Sequence, residues 1–329
     1  MVANVEEWKT KCRSGISYHK ILQYLFYRQW GELKEYAGKN GIRIVGDIPI
    51  YVAADSSDVW SCPDQFALDG DYMPTEVAGC PPDAFSADGQ LWGNPVYNWD
   101  LMRNDGYSWW KRRLSHSLKI YDVLRIDHFR GFDSYYCIPA GSTDARHGTW
   151  RKGPGADLFS EIKKDFGDLP IIAEDLGFLT DSVRSMLEEV GFPGMKVLQF
   201  AFDSRETNSG YLPHSYTRNT VVYTGTHDND TIAGWMGGIT GDDMELACRY
   251  LRTTRDGLPE SMMAAAMASV SDTCVLTMQD LIGLGGGARM NTPSTLGGNW
   301  KWRATSEQIS GTAGKLLKGL TDLYGRSRR

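Results

Sequence analysis

Six short apolar runs constrain this chain more than any other feature of its sequence. They are IRIVGDIPI from Ile42, DVLRIDHF from Asp122, LPIIAEDLG from Leu169, GMKVLQFAF from Gly194, TVVYTGTHD from Thr220 and CVLTMQDLI from Cys274. Helical patterns separate most of them, near 107–120, 156–166, 180–190, 241–254 and 259–270, with a last helix over 305–323. A helix is also expected before the first run, from Ser17 to Lys39. There Ile21, Leu22, Leu25, Phe26, Trp30, Leu33 and Ala37 recur at three- and four-residue spacing, and Asn40-Gly41 supplies a left-handed stop. Strands that alternate with helices read as a parallel sheet with helical crossovers. A chain of 329 residues can form a single α/β barrel.

Four of the runs reach an acid at or near their ends: Asp47, Asp127, Glu174 and Asp228. Parallel α/β folds bind ligands at the carboxyl ends of their strands. An acid after an apolar run is costly to bury without a partner or a task. Four acids gathered on one rim therefore mark a candidate site.

Within LRIDHFRG, Arg125 and Asp127 stand two apart on a strand and point the same way. An Arg beside an Asp favours the ionised carboxylate, which is a competent nucleophile; the pair would equally serve as a structural brace. In IIAEDLG, Glu174 and Asp175 point to opposite faces, so only one shares the interior with Asp127. A semi-apolar strand end beside other carboxylates raises a pKa, as a general acid requires. Helix capping is the other reading of this pair and suits Asp175. In TGTHDNDT, His227 and Asp228 at the end of an apolar run suit hydrogen bonds to ligand hydroxyls, the alternatives for His227 being a turn or a metal ligand. Six scattered His argue against a catalytic metal. GLGGG at 283–287 lacks the residues of a phosphate loop and reads as a turn.

Between Tyr51 and Trp99 the chain shows little helical or strand period and holds Pro63, Pro74, Pro81, Pro82 and Pro95. Trp60, Phe66, Tyr72, Phe85, Trp92, Tyr97 and Trp99 argue that it is ordered. It reads as an excursion over the site rim. The 11 Trp and 16 Tyr suit either a large core or the stacking of sugar faces. A net charge of −6 argues against a general nucleic-acid binder. No apolar stretch approaches membrane-spanning length, and MVANVEEWKTKCRSG lacks a secretory apolar core. The six cysteines are widely spaced, and a reducing cytosol or organelle stroma fits them.

Taken in order, GDIPIYVAADSSDVW, PPDAFSADGQLWGNPVYNW, LRIDHFRGF, IIAEDLG, GTHDNDT and ARMNTPSTLGGNWKWR resemble the 4-α-glucanotransferases, or amylomaltases, of the α-amylase clan. The resemblance covers nearly the whole chain. It implies a (β/α)8 TIM barrel and retaining, double-displacement transfer of α-1,4-glucan segments, with no metal or organic cofactor. It implies Asp127 as nucleophile, Glu174 as acid/base and Asp228 as third carboxylate. Arg125 and His227 match the substrate-orienting pair, and Asp47 an acid at the end of the third barrel strand. Asp83, Phe85 and Trp92 fall on a loop that covers bound glucan. Asn299 and Trp300 fall on the loop after the last strand. The implied partners are maltooligosaccharides and starch- or glycogen-derived α-glucans, handled in the cytosol or, in a plant, the plastid stroma. Oligomeric state is not written in the sequence.

Six strands fall short of eight. Residues 1–329 are therefore expected to be the carboxyl-terminal portion of such a barrel, with 51–99 as the covering insertion and two strands absent. A barrel open at two edges exposes its core. Weak or no activity is expected of this polypeptide alone. The competing readings are an α-glucan hydrolase, with the same carboxylates and water as acceptor, and a glucan-binding remnant.

Overall fold

Each of the six apolar runs contributes a parallel strand in the computed structural model, which describes residues 5–82, 86–177, 179–206 and 209–327, while the later parts of two runs, Leu198–Ala201 and Met278–Leu281, are helical turns. Ten strands run through the described residues. In chain order they are β1 (Val45–Ile48), β2 (Glu76–Cys80), β3 (Gln90–Pro95), β4 (Val123–Ile126), β5 (Ser134–Pro139), β6 (Thr149–Lys152), β7 (Ile171–Ala173), β8 (Gly194–Val197), β9 (Thr220–Tyr223) and β10 (Thr273–Val275). The parallel strands form two three-stranded sheets, in the orders β1-β4-β7 and β10-β9-β8. Register sets Asp47 beside Arg125, and Arg125 beside Ile172.

The two sheets curve around one interior. Ile172, Met195, Val197, Val221 and Tyr223 form a single buried cluster, with Val123 and Val275 packed against it. Leu124 and Ile126, one residue out of phase with Val123, face outward into a second core with Trp110, Leu114, Phe129, Phe132 and Phe159. Side-chain alternation along β4 thus gives the strand one face towards the interior and one towards the helices. The helices Ser108–Ile120 and Ala156–Phe166 supply the outer layer on this side. Behind β9, the helices Gly241–Leu251 and Leu258–Ala268 bury Ala247, Met262, Met263 and Ala266.

At the junction of the sheets, Ala173 N–H donates to the Pro193 carbonyl at 2.9 Å. Asp175 Oδ1 accepts from Met195 N–H at 2.6 Å. This carboxylate is therefore spent on the start of β8. Thr180, not Asp175, caps the following helix Asp181–Val190. Gly194 allows the contact, because a Cβ there would lie 2.5 Å from the Asp175 carboxylate.

The 51–99 segment contains more regular structure than its sequence pattern announces. β2 and β3 belong to a four-stranded antiparallel sheet, ordered β3-β2-β5-β6, whose other half follows β4 in the chain. Gly79 interrupts the apolar run of β2 for a reason: a Cβ would sit 2.2 Å from the Gln90 carbonyl oxygen of β3. The closing helix expected over 305–323 is two helices, Ser306–Ser310 and Ala313–Leu323, the first started by a Thr305–Gln308 capping box.

The long helix Arg13–Lys39 ends before Asn40, and Gly41 takes the left-handed conformation, as its sequence predicts. It lies along the helix Ser108–Ile120 through Tyr27 to His116 at 2.7 Å and Trp30 Nε1 to the Ile120 carbonyl at 2.9 Å. Most of its apolar side chains remain exposed, as does Val45 on β1. β1 and β10 are the outer strands of their sheets among the described residues. No helix there is long and apolar enough to cross a membrane.

Candidate active site

The charged strand ends meet around Arg125, which is buried on β4. Its Nη1 donates to Asp47 Oδ2 on β1 at 2.6 Å, and its Nη2 lies 2.9 Å from Asp127 Oδ1. Its Nε lies 3.3 Å from Met195 Sδ on β8. One guanidinium thus spans two carboxylates and crosses the interior. Asp127 follows directly after β4, and its N–H donates to the Ile48 carbonyl of β1 at 2.9 Å. The β-ladder therefore continues up to the carboxylate. Burial holds the Asp47 carboxyl above its ordinary pKa, and Arg125 opposes that rise.

Glu174 directly follows β7. Its N–H donates to the Ile126 carbonyl, and its carbonyl accepts from Phe129 N–H, both at 3.0 Å. Each carboxylate oxygen takes one backbone donor: Leu176 N–H to Oε1 at 2.9 Å, and His128 N–H to Oε2 at 2.7 Å. Burial raises its pKa from 4.5 to about 7, and the nearby Asp127 adds to the rise. Arg125 and the two N–H donors pull the other way. A carboxyl whose midpoint lies near neutrality keeps a substantial protonated fraction there and can donate a proton to a leaving oxygen.

The third carboxylate sits beyond β9 and is held by a different kind of structure. Asp228 Oδ1 accepts from Asn291 Nδ2 at 2.6 Å, and its Oδ2 lies 3.3 Å from His227 Nε2. Arg289 donates through Nη2 to the Asp228 carbonyl at 2.5 Å and through Nε to the Asn291 carbonyl at 2.8 Å. Asn291 N–H closes the clamp on the His227 carbonyl at 3.1 Å. Asn229 Oδ1 fixes the preceding turn by accepting from both the N–H and the hydroxyl of Thr226. His227 lies within electrostatic reach of Asp47, which brings the β9 end to the same rim.

Aromatic rings flank both sides. Trp92, half-buried on β3, meets the His128 ring edge-on at 4.8 Å between centroids. Trp300 lies 5.1 Å from the His227 ring and is itself exposed. Asn299 is engaged within its own loop, accepting from Thr292 N–H at 3.0 Å and donating to Thr295 Oγ1 at 3.2 Å. Asp83 and Phe85 lie outside the described residues. Three residues at this rim lie in segments that carry the family resemblance but were assigned no role from sequence: Arg289 and Asn291 in a polar loop, and His128 beside the nucleophile candidate. Among the described residues, no group of three or more His, Cys, Asp and Glu is placed to hold a metal ion.

Carboxylates gathered at or beyond the carboxyl ends of parallel strands, flanked by aromatic rings, define an α/β protein with a candidate active site where such folds place theirs. A family model described as 4-alpha-glucanotransferase matches residues 2–308. The 4-alpha-glucanotransferase of Streptococcus pneumoniae serotype 4 is 51% identical over 324 residues, which is 98% of this chain and 64% of that protein. The enzyme of that name from Clostridium butyricum is 48% identical over 98% of this chain and 66% of its own length. Among solved structures, the amylomaltase of Streptococcus agalactiae in complex with acarbose superposes with a TM-score of 0.95 at 44% identity, covering 100% of this chain and 67% of that one. The chain belongs to the 4-alpha-glucanotransferase family. It spans 64% of the length of the S. pneumoniae relative.

Proposed function

We propose that this chain carries the catalytic centre of a 4-α-glucanotransferase, which moves a segment of an α-1,4-glucan to the 4-hydroxyl of a second glucan or of glucose. The observation that carries the reading is the pairing of Asp127, salt-bridged to Arg125, with a Glu174 whose pKa is raised to about 7. Asp127 attacks the anomeric carbon while Glu174 protonates the departing oxygen, leaving a glycosyl ester on Asp127. Glu174, now a base, takes the proton of the acceptor hydroxyl as that oxygen displaces the ester. Forming the ester removes the Asp127 charge that helps hold Glu174 protonated, so Glu174 becomes a stronger acid at the step where it must serve as base. Asp228 and His227 bind hydroxyls of the reacting sugar, Arg125 and Asp47 orient it, and Trp92 and Trp300 pack on glucan rings. Maltooligosaccharides and starch- or glycogen-derived chains are the substrates. A reducing compartment, bacterial cytosol or plastid stroma, fits the unbridged thiols of Cys12, Cys62, Cys137, Cys248 and Cys274.

The six parallel strands, in two curved sheets, fit the wall of a (β/α)8 barrel. Product pattern, not rate, is the discriminating readout. Incubation with maltotriose is expected to yield glucose together with chains longer than the substrate. Products no longer than the substrate would instead identify a hydrolase, with water as acceptor.

A further inference from the structure

His128 holds a left-handed backbone, φ 51° and ψ 47°, directly after the proposed nucleophile. Residues with a Cβ adopt that conformation rarely, and Asn, Asp and His more readily than others. Here it places the His128 N–H 2.7 Å from Glu174 Oε2, and the His128 carbonyl accepts from Gly131 N–H at 2.9 Å. The ring is packed edge-on against Trp92. On another side Gly131 leaves it room: a Cβ at that glycine would come within 3.1 Å of the imidazole. Burial pushes the imidazole pKa down to about 3, so the ring is neutral and brings no charge to the site. What reaches Glu174 from this residue is its main chain.

We propose that His128 is a positioning residue for the acid/base, its left-handed backbone aiming the N–H that orients the Glu174 carboxyl and favours its ionised form. The turn that ends the nucleophile's strand thereby also sets the acid. The other groups that act on Glu174 are Asp127 and Arg125 from β4 and its end, and the Leu176 N–H; Tyr211 lies within reach of its charge. The inference rests on the glucanotransferase reading only for the role of Glu174. The test needs no turnover, so failure of either is distinguishable from failure of the other.

The experiment follows the side-chain carboxyl of Glu174 by carbon NMR in glutamate-labelled protein, with Glu174→Gln to assign the resonance. His128→Val places a β-branched residue where left-handed backbone is most disfavoured. It is expected to turn the N–H away and raise the Glu174 midpoint by about one pH unit. His128→Asn, whose side chain tolerates the left-handed region, is expected to titrate like the parent. If His128→Val does not fold, His128→Phe fills the ring's space and is expected to move the midpoint in the same direction. A folded Val or Phe variant with the parental midpoint would overturn the proposal. So would an Asn variant that shifts as far as they do, because that would assign the effect to the imidazole.

Discussion

The two sides of the rim achieve placement by different means. Asp127 and Glu174 extend from neighbouring strands, and hydrogen bonds continue past the strand ends: Asp127 N–H to Ile48, Glu174 N–H to Ile126, and Phe129 N–H back to Glu174. Asp228 lies across the rim, and what holds it comes from a loop more than sixty residues later in the chain, through Arg289 and Asn291. Backbone ladders tolerate side-chain substitution, because their donors and acceptors belong to every residue. A clamp made of an amide and a guanidinium depends on two side chains. The β4–β7 side should therefore respond to mutation mainly through charge, and the β9 side through geometry.

The largest effect expected is that of Asp127→Ala. It should reduce glucan transfer by about four orders of magnitude while glucan binding stays measurable. The fold should survive, because Arg125 keeps Asp47 as partner. Activity near the parental level would remove Asp127 from the role of nucleophile. Arg125→Ala tests charge on the same side. It strips a buried shared cation from two partly exposed carboxylates and is expected to lower stability by roughly 1–3 kcal/mol, between the values for surface and buried pairs, read by denaturant unfolding. A loss within ~1 kcal/mol, the range of a surface pair, would show that solvent already screens the cluster.

Glu174 gives a pH-dependent test. Below about pH 4.5 it is protonated in both folded and unfolded chains. Between there and about 7 the unfolded chain ionises it and the folded one does not, so the parent loses stability relative to Glu174→Gln as pH rises through that window. The full difference is up to about 3 kcal/mol and is complete above pH 7. Gln has only one acceptor for the two N–H donors of His128 and Leu176, so the variant carries a constant penalty. The slope with pH, rather than the offset, is the measured quantity. A flat difference from pH 4 to 8 would contradict the raised pKa.

On the opposite side, Asn291→Ala leaves the Asp228 carboxylate free to move. Up to about a hundredfold loss of kcat is expected with little change in melting temperature. An equal loss of stability and rate would make Asn291 a packing residue instead. The smallest effect is expected of Trp300→Ala. Removing an exposed ring beside His227 should weaken oligosaccharide binding by about two- to tenfold, visible in KM and not in kcat.

The same contrast explains what could be read from sequence. Strands whose interior face and helix face are both apolar write a continuous run, and all six such runs were legible, with the acids that follow them. The antiparallel sheet was not. β6 is TWRK, with every residue exposed, and β2 is broken by Gly79 for lack of room. Neither leaves an alternating pattern. His128 escaped because its contribution is a backbone angle, and no residue type announces that. Asn291 escaped because it lies in a polar loop whose approach to β9 depends on the closed fold. Asn299, eight residues on, sits in the more conspicuous GGNW stretch, yet its amide is engaged within that loop. Asp175 shows the converse: a carboxylate beside the acid whose work is to seat Met195 at the junction of the two sheets.

Formation of the covalent intermediate on Asp127 can be measured directly. The protein is incubated with a fluorinated maltosyl donor that forms the glycosyl-enzyme and resists its breakdown, then digested and mapped by peptide mass. The added sugar is expected on the peptide containing Asp127, and none in Asp127→Ala. Label on Asp47, Glu174 or Asp228 would contradict it.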